Sequence, residues 1–196
     1  MFLVVVAFVA AMVSPMANGA WLNENADRKS FRFECPADQA ISRVVSDHYN
    51  VRKTSNEDRK FWMECSPVPM RNLSNCEWSG FTYSRRKPLH YQCANSGVIT
   101  GVYSEYDHTS SRYDRKFSFQ CCASTGDEVL HACAVSAWTN EYDKHQSFRV
   151  PPGYVMRGWT SVYGSKFFDR KYAFMYCKVG RVVDDCGYKA RTLRLS

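Results

Sequence analysis

Hydrophobic positions along this chain alternate, and they do so in recurring blocks. In Asp114-Arg115-Lys116-Phe117-Ser118-Phe119-Gln120-Cys121-Cys122, the residues Phe117, Phe119 and Cys121 share one face of an extended segment, and Ser118, Gln120 and Cys122 share the other. The same period of two places Phe61, Met63 and Cys65 together after Asp58-Arg59-Lys60, and Tyr172, Phe174 and Tyr176 together after Asp169-Arg170-Lys171. A fourth block, Asp27-Arg28-Lys29, carries one extra residue before Phe31, Phe33 and Cys35. Alternation with aromatic enrichment predicts half-buried β-strands. Recurrence of one tripeptide before each strand marks an internal repeat.

The runs leading into three of these blocks also match. Ala40–Ser46, Val98–Ser104 and Tyr154–Ser161 are β-prone, end in serine and are followed by a polar connector. The pattern therefore predicts three β-hairpins, with the first Asp-Arg-Lys strand standing ahead of them. Gly, Pro, Asn, Asp and Ser interrupt the chain often enough to leave no long helix. Pro67 and Pro69 break one connector, and Pro151-Pro152-Gly153 ends another and restarts a strand at Tyr154. The stretch from Cys133 to Tyr142 reads as irregular. The fold class expected is all-β: one disulfide-stapled domain of repeated β-hairpins. Three units suit pseudo-threefold packing, and trefoil, prism and sandwich closures all remain compatible with them.

Two features place this domain outside the cell. Phe2–Val13 is an uninterrupted apolar run, too short to span a bilayer and followed by the small residues Ala17-Asn18-Gly19-Ala20, as in a secretory signal. Residues 1–20 are read as that signal and 21–196 as the domain, with no transmembrane segment expected. All nine cysteines lie beyond the leader, and in a secreted chain they form a disulfide framework rather than a metal site. Alternation on the strand sends the neighbours Cys121 and Cys122 to two different segments. Asn72-Leu73-Ser74 is an acceptor sequon for N-glycosylation.

The formal net charge is +7, none of it in the leader, so the expected partners are polyanions: sulfated glycosaminoglycans and proteoglycans, acidic matrix proteins or cell surfaces. The secretory reading disfavours nucleic acid. Arg52, Lys53, Arg85, Arg86 and Lys87 are the most clustered cations. The Asp of each Asp-Arg-Lys block suits a strand start, bonding nearby amides. The Arg suits a forked bond to a carboxylate or to carbonyls at a repeat junction. Tyr106 and Tyr142, flanked by acidic residues, are candidate sulfation sites. The five histidines, His48, His90, His108, His131 and His145, are scattered, and no zinc-protease, nucleophile-elbow or phosphate-loop signature occurs. No catalytic residue, metal or cofactor is expected.

The repeated Asp-Arg-x-aromatic-x-aromatic-x-Cys segments, the Cys121-Cys122 doublet and the Met156-Arg157-Gly158 step resemble the dermatopontin family over roughly Asp27 to Cys186. That resemblance implies a non-enzymatic, secreted extracellular-matrix and cell-adhesion protein that binds sulfated proteoglycans. Some invertebrate relatives suggest an alternative, a cytotoxin or cell-aggregating agglutinin. The family's pairing implies Cys35–Cys65, Cys76–Cys121, Cys93–Cys122 and Cys133–Cys186. Its pattern carries one more cysteine, which would fall near Ala137, and this leaves Cys177 as the odd thiol. If Cys133 pairs with Cys177 instead, Cys186 is the odd one.

Overall fold

The computed structural model describes residues 21–22, 28–49, 57–82, 86–107 and 114–181. Three long hairpins dominate them: β3 (Gln39–Tyr49) with β4 (Asp58–Pro67), β7 (Val98–Asp107) with β8 (Asp114–Ser124), and β11 (Tyr154–Gly164) with β12 (Asp169–Arg181). Each hairpin is the centre of a four-stranded antiparallel sheet. On one edge lie β1 (Trp21–Leu22), β5 (Leu73–Trp78) and β9 (Glu128–Val135), paired with β4, β8 and β12. On the other lie β10 (Gln146–Arg149), β2 (Phe31–Glu34) and β6 (Leu89–Gln92), paired with β3, β7 and β11.

This topology makes a cycle. From β1, β5 and β9 the chain crosses to supply an edge strand of the next sheet, β2, β6 and β10, and then returns to build the hairpin of the sheet it left. β1–β2 joins the first sheet to the second, β5–β6 the second to the third, and β9–β10 the third to the first. An approximate threefold repetition therefore relates the sheets, and the prediction of an all-β fold of repeated hairpins holds.

Equivalent details recur at each step. The leading strand of every hairpin carries a register shift, at Ile41/Arg43, Ile99/Gly101 and Met156/Gly158. A tight turn precedes each leading strand. In these turns the amides of Gln39, Gly97 and Tyr154 donate to the carbonyls of Pro36, Ala94 and Pro151 at 3.2, 2.7 and 3.1 Å. Asp38, Ser96 and Gly153 adopt φ of 57°, 56° and 78° there, where a short polar side chain or none is tolerated. Gly101 and Gly158 follow the bulges for a different reason. A Cβ would stand 3.0 Å from the Phe33 carbonyl oxygen and 2.8 Å from that of Tyr91, so these glycines let β2 and β6 lie close.

The alternating face predicted from sequence is the core. Phe31, Phe33, Phe61, Met63, Cys65, Phe117, Phe119, Tyr172 and Phe174 are buried in one cluster. Phe61, Phe117 and Tyr172, each two residues past an Asp-Arg pair, form a triangle with ring centroids 5.7, 5.9 and 6.4 Å apart. Trp159 adds edge-on and tilted contacts to all three members. By register, Val44 and Val102 hold the corresponding positions in the other hairpins, facing Met63 and Phe119 as Trp159 faces Phe174. The bulkier Trp159 fills the centre where the approximate symmetry would otherwise leave space.

Four disulfides cross-link the described residues: Cys35–Cys65, Cys76–Cys122, Cys93–Cys121 and Cys133–Cys177. The first matches the pairing implied by resemblance. The partners of Cys121 and Cys122 are exchanged relative to it, and Cys177 is bridged to Cys133, the alternative to Cys133–Cys186, rather than odd. Geometry explains both corrections. Cys65 and Cys121 lie five residues past Lys60 and Lys116, on the core face, and reach the cysteines that follow β2 and β6. Cys122 and Cys177 lie six residues past Lys116 and Lys171, on the opposite face, and reach the outer edge strands β5 and β9. The adjacent cysteines do go to different segments, as alternation predicts. Cys186 lies outside the described residues.

Candidate functional site

The Asp-Arg-Lys blocks converge where the three hairpins meet. Arg59 donates through Nε and a terminal nitrogen to Asp169, at 2.9 and 2.5 Å. Arg115 grips Asp58 in the same way at 2.7 and 2.6 Å, and Arg170 grips Asp114 at 2.7 and 2.7 Å. Each sheet thus gives a guanidinium to one neighbour and a carboxylate to the other, and the pairs close into a ring. All six side chains are buried. Unpaired, any one would carry a large desolvation penalty; forked pairing satisfies it in fixed geometry.

Backbone amides complete the ring. Asp58 also accepts from the amides of Arg59 and Arg28, at 2.7 and 2.9 Å. Asp114 accepts from those of Arg115 and Arg86, at 2.8 and 2.9 Å. Asp169 accepts from the amide of Asp143 at 2.9 Å. Arg28, Arg86 and Asp143 share a positive φ of 52°, 58° and 60°, which turns each amide inward. The next residues, Lys29, Lys87 and Lys144, offer their carbonyls to Arg115, Arg170 and Arg59 at 3.1, 3.2 and 3.1 Å. The Arg28-Lys29 block is therefore a junction segment, equivalent to Arg86-Lys87 and Asp143-Lys144, and its strand is an edge strand. Its likeness to the hairpin blocks in sequence hides a different role.

Electrostatics around the ring follow burial. Desolvation pulls on the Arg59 guanidinium, but its hydrogen bonds and charge pairing with Asp169 outweigh it and hold the proton more tightly. Burial pushes the Tyr172 phenol well above its ordinary value. Glu57 and Asp143, at the rim, are also raised, first by burial and then by neighbouring carboxylates, with His48 opposing. The cavity bordered by the ring, His48, Glu57, Tyr106 and Tyr172 measures about 20 Å³, room for a single water or ion but not for an organic substrate.

The other sequence-predicted residues lie apart from the ring. Arg86 is half-buried, its guanidinium 5.4 Å over the Tyr163 ring, while Lys87 is exposed. Lys60, Lys116 and Lys171 sit on the outer faces over Tyr49, Phe81 and Tyr142, at 5.0, 5.4 and 5.1 Å. Lys171 is also paired with Glu141. Asn72 is exposed. Tyr106 is buried, with its hydroxyl donating to the Glu57 carbonyl at 3.0 Å, so it is closed to sulfation. Tyr142 is half-buried and stacked on Phe167. The leader, Asp27, Arg52, Lys53 and Arg85 lie outside the described residues. Sequence reasoning passed over Lys144, whose signal was the recurrence of a lysine two residues before β2, β6 and β10.

Fold, cross-links and ring define a disulfide-stapled all-β body with threefold internal repetition. A family model described as Dermatopontin matches residues 25–182. The dermatopontin of Biomphalaria glabrata is 33% identical over 154 residues, covering 79% of this chain and 98% of that protein. The chain belongs to the dermatopontin family, a family of non-enzymatic extracellular-matrix proteins. No solved structure matches it. Among the described residues no helix is long and apolar enough to cross a membrane.

Proposed function

We propose that this protein is a secreted adhesion component of the matrix that holds sulfated proteoglycans by several cations at once. The observation that carries this reading is the set Lys29, Lys87 and Lys144. All three side chains are exposed, and each backbone is tied to a ring arginine through its carbonyl. The ring neutralises its own charges, three arginines against three aspartates, so it takes nothing from the +7 surplus carried elsewhere. Rigid placement lowers the ordering cost of engaging a chain of repeated anionic groups, and several weak contacts then act as one strong one. Lys87 belongs to the basic cluster picked out by sequence, and Asn72 on the exposed surface is the proposed glycan site.

Heparin chromatography tests this reading. Removal of three sulfate or carboxylate contacts should lower the salt needed for elution, because such charge contacts are screened by salt, with a screening length of about 8 Å at physiological ionic strength. The variant Lys29→Gln/Lys87→Gln/Lys144→Gln is expected to elute clearly earlier than the wild type, with an unchanged unfolding midpoint. Unchanged elution would remove these lysines from the binding surface. Lysis of red cells by the wild type at nanomolar concentration would favour the cytotoxin reading, and sugar-inhibitable clumping the agglutinin.

A further inference from the structure

The three junctions share a backbone but differ in chemistry. Opposite Arg115 and Arg170 in the hairpin registers stand Tyr106 and Tyr163; opposite Arg59 stands His48. The residue whose amide caps the ring carboxylate is Arg28 at one junction and Arg86 at the next, but Asp143 at the third. At the second junction the Arg86 guanidinium rests over the Tyr163 ring. At the third, an imidazole replaces the phenol and a carboxylate replaces the guanidinium. The swap exchanges a cation–aromatic contact for two groups that bind cations.

Their geometry fits that chemistry. One ligand atom each from His48, Asp143 and Asp169 lie within 4.8 Å of one another. The His48 side chain is 1% exposed, and among the described residues neither ring nitrogen has a hydrogen-bond partner, although Nδ1 lies 3.1 Å from Asp143 Oδ1 without the alignment of a bond. An imidazole buried with both nitrogens unsatisfied is costly, and a cation on Nδ1 relieves its acceptor. Glu57 lines the same small cavity with its Oε2 buried and, among the described residues, unpartnered. Asp143, with its side chain 34% exposed, gives the route in from solvent.

We propose that the third junction is a divalent-cation site, with His48 and Asp143 as principal ligands and Asp169 completing it while keeping its pairing to Arg59. One imidazole and two carboxylates suit a borderline ion such as zinc better than calcium or magnesium, which prefer all-oxygen shells. The ion ties β3, β12 and the junction segment together where the second junction uses an aromatic and a cation.

The test uses the untagged full chain, stripped with a chelator and titrated with zinc chloride in a calorimeter. One saturable equivalent is expected. Asp143→Asn should weaken it at least as much as loss of an outer-shell partner does, about 10–100-fold. His48→Tyr/Asp143→Arg copies the second junction, so it should fold with a normal urea transition and lose the equivalent altogether. His145, exposed and 2.8 Å from Asp47, is the nearby competitor, and His145→Gln should leave binding intact. A wild type that takes up no zinc overturns the proposal. So does retention in Asp143→Asn or in the double variant, or loss in His145→Gln.

Discussion

At the scale of single residues, the Asp-Arg pair matters because each member is satisfied only by another copy of the repeat. Asp58 accepts four hydrogen bonds, two from Arg115 and two from backbone amides, which fills its lone-pair capacity. Arg115→Met would leave that carboxylate buried against two amides alone, and breaking such a pair costs about 3–5 kcal/mol. The expected result is a large drop in the urea midpoint, partly restored in Arg115→Met/Asp58→Asn because the orphaned charge is gone. Equal loss in single and double variants would mean that packing, not charge, is the issue. Tyr172 gives a pH signature. Its folded-state value is raised above 10.0 by burial, so the folded chain keeps a proton that the unfolded chain releases. The associated stability is present below pH 10.0 and declines as pH climbs past it. Tyr172→Phe should flatten the alkaline limb of stability against pH. At this scale the sequence disclosed the role of each side chain: aspartate for amides, arginine for a fork. It could not disclose the partners, since Arg59 and Asp169 are 110 positions apart.

At the scale of elements, the hairpins were legible because their core face is continuous and aromatic. The edge strands β5 and β9 were not, because most of their side chains are half-buried or exposed and no alternation survives. The span from Cys133 to Tyr142 looked irregular for that reason, although its first residues complete β9. The cysteine pairing was readable in principle. Counting from the lysines aligns Cys65 with Cys121 and Cys122 with Cys177, and the repeat then pairs them alike. Likeness to other proteins implied Cys35–Cys65 correctly but exchanged the partners of Cys121 and Cys122, which the chain's own periodicity tells apart. The structure expects Cys93–Cys121 and Cys76–Cys122 as separate cross-links, to be checked by partial reduction, stepwise alkylation and peptide mapping. Replacing Cys93 and Cys121 by alanine should cost about 2–4 kcal/mol, typical of a native bridge. An unchanged denaturation midpoint would count against the assignment.

At the scale of the whole molecule, approximate threefold repetition gives three equivalent corners, and selection is free to make them differ. Trp159 fills the axis from one sheet alone, and His48 and Asp143 alter one corner, while the lysines remain the same at all three. Repetition also sets a limit on the architecture. In a stacked array, each module contacts its neighbours in line, so modules can be added or removed at the ends. Here Arg59 of the first hairpin must wait for Asp169 of the last, which puts the closing contact near the end of the chain's construction. A chain stopped after two modules strands a charge at each open end; a fourth module has no gap to enter. Copy number is therefore locked by electrical bookkeeping, and loss of any one module should melt all of them together.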